Sequence, residues 1–365
     1  MPPTILPLRK TSWRGISSHE PPSPSSPAIS TILTAKRLRI ALLSTSIILL
    51  LLYAFPPASY HDQVPIHISN ATISHATPST EPTNWSQFAY IQYATNSIYL
   101  CNALVLFSTL HALSSPASRV LMFPSSMLSD PTTRDAQLIL KARHAYNVTL
   151  SPIEIQSRKT SDPTWSESFT KLLAFNQTAY ERVLSLDADA LLLKPMDELF
   201  LLPPAPVAMP RAYWLYPEKE ILSSQLMLVT PSEKEFARVM NAIDAAGKDE
   251  YDMEIVNTLY RDSALVIPHR GYDLLTREFM NPPDQHAWYL GSPDEEWDPV
   301  AVLEEAKFLH FSDWPVPKPW MPNDEELRLE HQPGCWEREG VESCAERELW
   351  NGFREAFRDK REVSY

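Results

Sequence analysis

The 365-residue chain has 44 % hydrophobic residues, 34 prolines, only 7 glycines and a net charge of −13. Enough apolar residue is present for a large domain with appendages, which excludes a wholly disordered chain. The scattered glycines exclude a GxGxxG turn, a P-loop and a GxSxG elbow; the acidic balance excludes a broad nucleic-acid surface, and three cysteines exclude a zinc-finger array.

Residues 1–39 are Pro/Ser-rich and carry a net +5, leaving −18 for the remainder. They read as a disordered basic tail. Ile40–Phe55 is an uncharged run of 16 residues. As a helix it spans about 24 Å against a hydrocarbon core of ~30 Å, a gap that snorkelling by Arg37 and Arg39 can close. The run predicts a single-pass transmembrane helix, and the basic flank keeps the N-terminus cytosolic, a type II orientation. A cleaved signal peptide is the rival, disfavoured by the long preceding segment and by Pro56 and Pro57. Residues 56–87 have the Pro/Ser/Thr composition of an extended lumenal stem. Sequons at Asn70, Asn84, Asn147 and Asn176 all lie beyond the apolar run.

From residue 88 to 330 short apolar strands alternate with amphipathic helices. Strands are expected at Ala89–Ala94, Arg119–Phe123 and Arg182–Leu186, with an extended Val148–Ile155. Helices are expected at Ser97–Leu113, Pro131–His144 and Phe169–Asn176. Thr230-Pro-Ser-Glu233 reads as a capping box with Pro231 at the first helical position, and Phe236, Val239, Met240 and Ile243 follow at helical spacing. This alternation predicts an α/β domain with a mostly parallel central sheet. Residues 331–365 read as a loop and an amphipathic helix. Cys335 and Cys344 are either a small disulfide loop or two free thiols, and Cys101 sits in an apolar run as a buried hydrophobe.

Arg182-Val-Leu-Ser-Leu-Asp-Ala-Asp carries the chemistry. A buried strand ends by presenting Asp187 and Asp189 at its carboxyl edge, where open α/β sheets place ligands. Two carboxylates there can hold Mn²⁺ or Mg²⁺, and such a cation can neutralise a departing diphosphate.

Phe169-Thr-Lys-Leu-Leu-Ala-Phe, followed by Tyr180-Glu-Arg-Val-Leu-Ser-Leu-Asp-Ala-Asp-Ala-Leu-Leu-Leu-Lys-Pro-Met-Asp-Glu-Leu-Phe200, resembles glycosyltransferase family 8, the glycogenin-like enzymes. It is similar in particular to the fungal membrane-anchored N-acetylglucosaminyltransferases. The resemblance covers about residues 88–320. It implies a GT-A fold, a UDP-sugar donor (UDP-GlcNAc foremost), a glycan acceptor, Mn²⁺ with Mg²⁺ as the alternative, retention of anomeric configuration and a Golgi membrane setting. It also implies nucleotide contacts from Asn96 and Tyr99, and a basic residue, Lys171, near sugar and phosphate. His310-Phe-Ser-Asp-Trp-Pro-Val-Pro-Lys-Pro-Trp320 resembles the family's His-to-Lys-Pro-Trp segment, which implies His310 as a third metal ligand and Lys318 as the diphosphate grip. Tyr251-Asp-Met-Glu resembles the sugar-facing helix, implying catalytic roles for Asp252 and Glu254; acids stabilising a helix N-terminus are the alternative.

The chain departs from the family pattern in places. Asp313 replaces a glycine, and Lys318 follows His310 by eight positions instead of six. Gln225 occupies another glycine position, and Asn102 stands where glycine is common. Two other functions remain open at this level: a haloacid-dehalogenase-type phosphatase, which also places D-x-D after a buried strand, and a non-catalytic glycan-binding relative.

Overall fold

The computed structural model describes residues 82–364, apart from residues 217, 323, 324 and 339. The basic tail, the apolar run Ile40–Phe55, most of the stem and Asn70 lie outside the described residues. Among the described residues no helix is long and apolar enough to cross a membrane. Residues 80–365 form one compact unit.

The strands are β1 (Phe88–Tyr93), β2 (Ser118–Pro124), β3 (Val148–Ile153), β4 (Arg182–Leu186), β5 (Ala190–Leu192), β6 (Val207–Pro210), β7 (Leu226–Val229), β8 (Leu265–Ile267), β9 (Leu274–Leu275), β10 (Phe308–His310), β11 (Trp336–Arg338) and β12 (Val341–Ser343). The helices are α1 (Ser97–Ala112), α2 (Arg134–Tyr146), α3 (Glu233–Ala245), α4 (Asp252–Tyr260), α5 (Ala287–Leu290), α6 (Pro299–Glu305), α7 (Glu325–His331) and α8 (Ala345–Ser364). Seven strands form the main sheet in the order β3-β2-β1-β4-β7-β6-β8. All run parallel except β7, which is antiparallel to both neighbours.

Successive side chains of a strand face opposite sides, and the two faces of this sheet separate accordingly. Phe88, Tyr90, Leu184 and Leu186 pack with Leu100, Leu104 and Phe107 of α1 and with Leu138 and Ile139 of α2. Ala89, Ile91, Val120, Met122 and Val183 pack on the other face against Phe169, Leu172, Phe175, α3 and α4. Burial on both faces explains why β1 and β4 are mostly apolar without strict alternation, Gln92 and Ser185 being buried polar exceptions. α1 is apolar nearly all round because it lies between the sheet and α8: its Val105 joins a third cluster with Leu309, Phe311, Trp350, Phe353 and Phe357. That cluster surrounds a second sheet, β5-β10-β9.

The helical Phe169–Asn176 segment is 3-10 in form over Ser168–Asn176. The expected capping box at Thr230 is corrected by two residues. Thr230 is tied back to the sheet, its N–H donating to Pro206 O at 2.9 Å and its hydroxyl to Ala205 O at 2.7 Å. Ser232 therefore caps α3, its hydroxyl accepting from Glu235 N at 3.2 Å, and Pro231 stays outside the helix. Cys335 and Cys344 form a disulfide across the β11–β12 hairpin that precedes α8, and Cys101 is free and buried. Asn84, Asn147 and Asn176 are exposed.

Candidate active site

The carboxyl edge of β4 is held from both sides. The buried Gln92 at the end of β1 donates its side-chain amide to Leu186 O at 2.6 Å, and Asp187 N donates to Gln225 O at 2.9 Å. The chain then turns through Asp189 into β5, which pairs antiparallel with β10 in the register His310↔Ala190. Asp189 O accepts from Phe311 N at 3.0 Å. These main-chain bonds bring His310 to the two acids across more than a hundred residues of sequence.

His310 Nε2 lies 3.0 Å from Asp189 Oδ1 and 3.8 Å from Asp187 Oδ2. One ligand atom from each of Asp187, Asp189 and His310 falls within 4.8 Å of the others. Two hard carboxylate oxygens and one imidazole nitrogen fit Mn²⁺ or Mg²⁺. The acid side chains remain open to solvent on one side, at 17 % and 22 % exposure, so a ligand can reach them. Lys318 Nζ is 2.8 Å from Asp189 Oδ2 and also donates to Phe311 O.

Behind this open group lies a buried one. Lys171 Nζ is 2.6 Å from Asp187 Oδ1 and 2.8 Å from Asp252 Oδ2, and donates to Ser224 O at 3.2 Å. Ser224 Oγ donates to the same Asp252 oxygen at 2.7 Å. Lys171 is therefore a buried bridge, far from the polar helix face that an amphipathic reading would give it. Burial opposes its charge, but Asp187 and Asp252 outweigh burial and hold it well above the usual lysine range. Burial likewise works against Asp252, whose bonds to Lys171 and Ser224 keep it below the usual carboxylate range. Asp187 is pushed up to about 6, by burial first and by neighbouring Asp189, with Lys171 and His310 working against the rise. Asp189 goes the other way: His310 and Lys318 overcome burial and hold it well below the carboxylate range.

Asn96 and Tyr99 sit at the neighbouring strand-to-helix turn. Asn96 caps α1, its Oδ1 accepting from Ile98 N at 3.0 Å and Tyr99 N at 3.2 Å, which leaves its amide group exposed. The Tyr99 ring is half-buried, and its hydroxyl is pushed upward by burial and by Asp189 and Asp187. Glu254 accepts from Tyr251 N at 3.0 Å, as the return half of a capping arrangement at α4.

Three site residues lack a motif in the sequence. Tyr93 ends β1 among Lys171, Asp187, Asp252 and Asp189. Its position at a strand's carboxyl edge, beside β4, is the signal that could have found it. Ser224 carries no signal beyond preceding β7. Asp273, fully buried, feels His310, Asp187 and Lys171; Ser223 approaches it, but neither carboxylate oxygen completes a hydrogen bond. Burial pushes it up to about 7.

A mostly parallel sheet with two acids, an imidazole and an ammonium gathered at its carboxyl edge has the organisation of the GT-A glycosyltransferase fold. No family model matches the chain. A glucose N-acetyltransferase 1 from Aspergillus fumigatus is 43 % identical over 314 residues, 81 % of this chain and 81 % of that protein. A protein of the same name from Gibberella zeae is 58 % identical over 285 residues, and the matched region spans 76 % of this chain but 62 % of that relative's length. A glycogenin from Neurospora crassa is 22 % identical over 208 residues, covering 55 % of this chain and 28 % of its own. The solved apo structure of the glycosyltransferase GlyE from Streptococcus pneumoniae matches 76 % of this chain and 63 % of its own at 15 % identity and TM-score 0.48, too loose an overlap for residue-level transfer. The chain belongs to the glucose N-acetyltransferase 1 family.

Proposed function

We propose that the protein transfers N-acetylglucosamine from UDP-GlcNAc to a glycan acceptor, with retention of configuration, in the Golgi lumen, as a type II protein anchored by Ile40–Phe55. The single observation that carries the donor chemistry is the meeting of Asp187, Asp189 and His310 beside Lys318. The relatives' name speaks of glucose and an acetyl group; a cation site beside a lysine suits a diphosphate that leaves from the sugar itself.

Mn²⁺ held by Asp187, Asp189 and His310 would neutralise diphosphate charge, with Mg²⁺ as the alternative. The remaining work falls to side chains. Asn96 and Tyr99 take the nucleotide, with the Tyr99 ring offering a stacking face. Lys318 leaves Asp189 to meet the phosphate charge that grows as the sugar bond breaks. Lys171 stays charged between Asp187 and Asp252, keeping both carboxylates ionised and fixed. Asp252 acts from behind Asp187 and Lys171, its charge favouring the positive charge that develops at the anomeric carbon, while Glu254 fixes the helix turn that carries Asp252.

A donor labelled in both the acetyl group and the sugar ring tests this reading. With Mn²⁺ and a glucose-bearing acceptor, both labels should reach the product in equal amounts. Movement of the acetyl label alone, or no dependence on the nucleotide, would overturn it.

A further inference from the structure

The segment from Phe311 to Trp320 carries Lys318 and holds itself by short turns alone, Val316 N donating to Asp313 O at 2.8 Å and Met321 N to Lys318 O at 2.9 Å. Pro315, Pro317 and Pro319 have no N–H, so this stretch cannot join a sheet, and its remaining carbonyls need donors from elsewhere. Arg277 supplies one, to Trp314 O at 3.0 Å, and the donors to the carbonyls on either side of Lys318 come from one face of α8. Arg354 donates to Pro317 O at 2.6 Å and to Asp313 Oδ2 at 3.2 Å, and Arg358 donates to Pro319 O at 3.2 Å. Both carbonyls adjacent to Lys318 are thus gripped by arginines one helical turn apart. Asp313 is fixed from its other side by the Thr276 hydroxyl, one residue beyond β9. Phe357 packs edge-on against Phe311 and tilted against Trp320, so both ends of the segment rest on the same helix face.

We propose that α8 is a splint for the diphosphate site: Arg354 and Arg358 are positioning residues that act on transfer through the placement of Lys318. Asp313 and Arg354 are 2 % and 3 % exposed. A buried ion pair is a poor source of stability compared with apolar packing, but it is strongly directional, and every bond named here ends on the Lys318 segment.

This inference rests on Lys318 gripping the diphosphate, and a double-mutant cycle in the 365-residue chain separates the two ideas. Lys318→Ala, Arg354→Met and Arg358→Gln are made alone, and each arginine change is combined with Lys318→Ala. UDP with Mn²⁺ is titrated into each, and kcat for transfer is measured in parallel. Arg354→Met should lower kcat about tenfold and Arg358→Gln about threefold, while in the Lys318→Ala background both effects should vanish, the signature of groups acting through one another. Mn²⁺ binding without UDP should not move, since β5–β10 pairing sets His310. Full additivity in the Lys318→Ala background would overturn the splint and leave the role of Lys318 standing. If Lys318→Ala alone changes neither kcat nor UDP binding, the reading of the site itself fails. Arg358→Gln unburies nothing and keeps the test decisive should Arg354→Met not fold.

Discussion

Two pairs of acids in this protein share one spacing and meet different fates. Asp187 and Asp189 lie in the bend between β4 and β5, pinned by the bond from Asp187 N to Gln225 O and by that from Phe311 N to Asp189 O. Both carboxylates therefore arrive within reach of His310. Asp252 and Glu254 open a helix, where residues two apart lie about 200° around the axis. Asp252 turns inward to Lys171 and Ser224, whereas Glu254 turns back to the N–H of Tyr251. Spacing alone says little about a pair of acids; the backbone beneath them decides whether they act together.

The largest effect should fall on the strand pair. Asp189→Asn should slow transfer on the order of a hundred- to a thousand-fold, as loss of a main charge-stabilising group does, with its melting temperature little changed. An equal loss from Glu254→Gln would erase the distinction between the pairs. Next comes the bridge that joins them. Lys171→Met leaves the buried Asp252 without its counter-charge and removes one from the half-buried Asp187, which should cost about 3–5 kcal/mol in denaturant unfolding, and transfer should be lost with it. Stability within 1 kcal/mol of the parent, measured the same way, would mean the bridge is not buried as described.

Asp273 sharpens the contrast, because it has burial but no lysine of its own. Its folded pKa of about 7 lies above the unfolded value near 3.9, so its contribution to stability is fully present below pH ~4. That contribution is lost as pH rises through 7, and stability levels off above it. Asp273→Asn should remove this fall and stabilise the protein at pH 8 by a few kcal/mol, ~4 at the limit. The groups facing Asp273 are His310, Asp187, Lys171 and Ser223, so the measurement is the difference between parent and variant across pH 4–8. A difference that does not change with pH would show that Asp273 ionises normally. The smallest effect is expected at Glu254→Gln: an amide still accepts from Tyr251 N–H, so stability should fall by no more than ~1 kcal/mol and UDP binding should hold.

Much of this was legible in the sequence because it is local. Apolar runs bounded by turns marked β1, β2 and β4, and the position of Asp187 and Asp189 follows from the end of β4. Ser232, not Thr230, caps α3 because Thr230 is bound to the sheet end, a tertiary contact that no tripeptide reveals. The resemblance placed Lys171 in the site, but its bridge between Asp187 and Asp252, and Tyr93 beside it, are products of packing that the sequence does not show. The bracing of Lys318 by Arg354 joins residues 36 positions apart through a helix that by pattern alone was only amphipathic. Asp313 looked like a lost glycine until that arginine was found beside it.

The central claim is that Asp187, Asp189 and His310 hold one divalent cation against a diphosphate. Titrating Mn²⁺ into the protein in the presence of UDP, followed by the electron paramagnetic resonance of free Mn²⁺, tests it directly. One tight site per chain should appear in the parent, vanish in Asp189→Asn and weaken in His310→Ala, with sugar transfer from UDP-GlcNAc falling in step. Undiminished transfer by Asp189→Asn in excess EDTA would contradict the account.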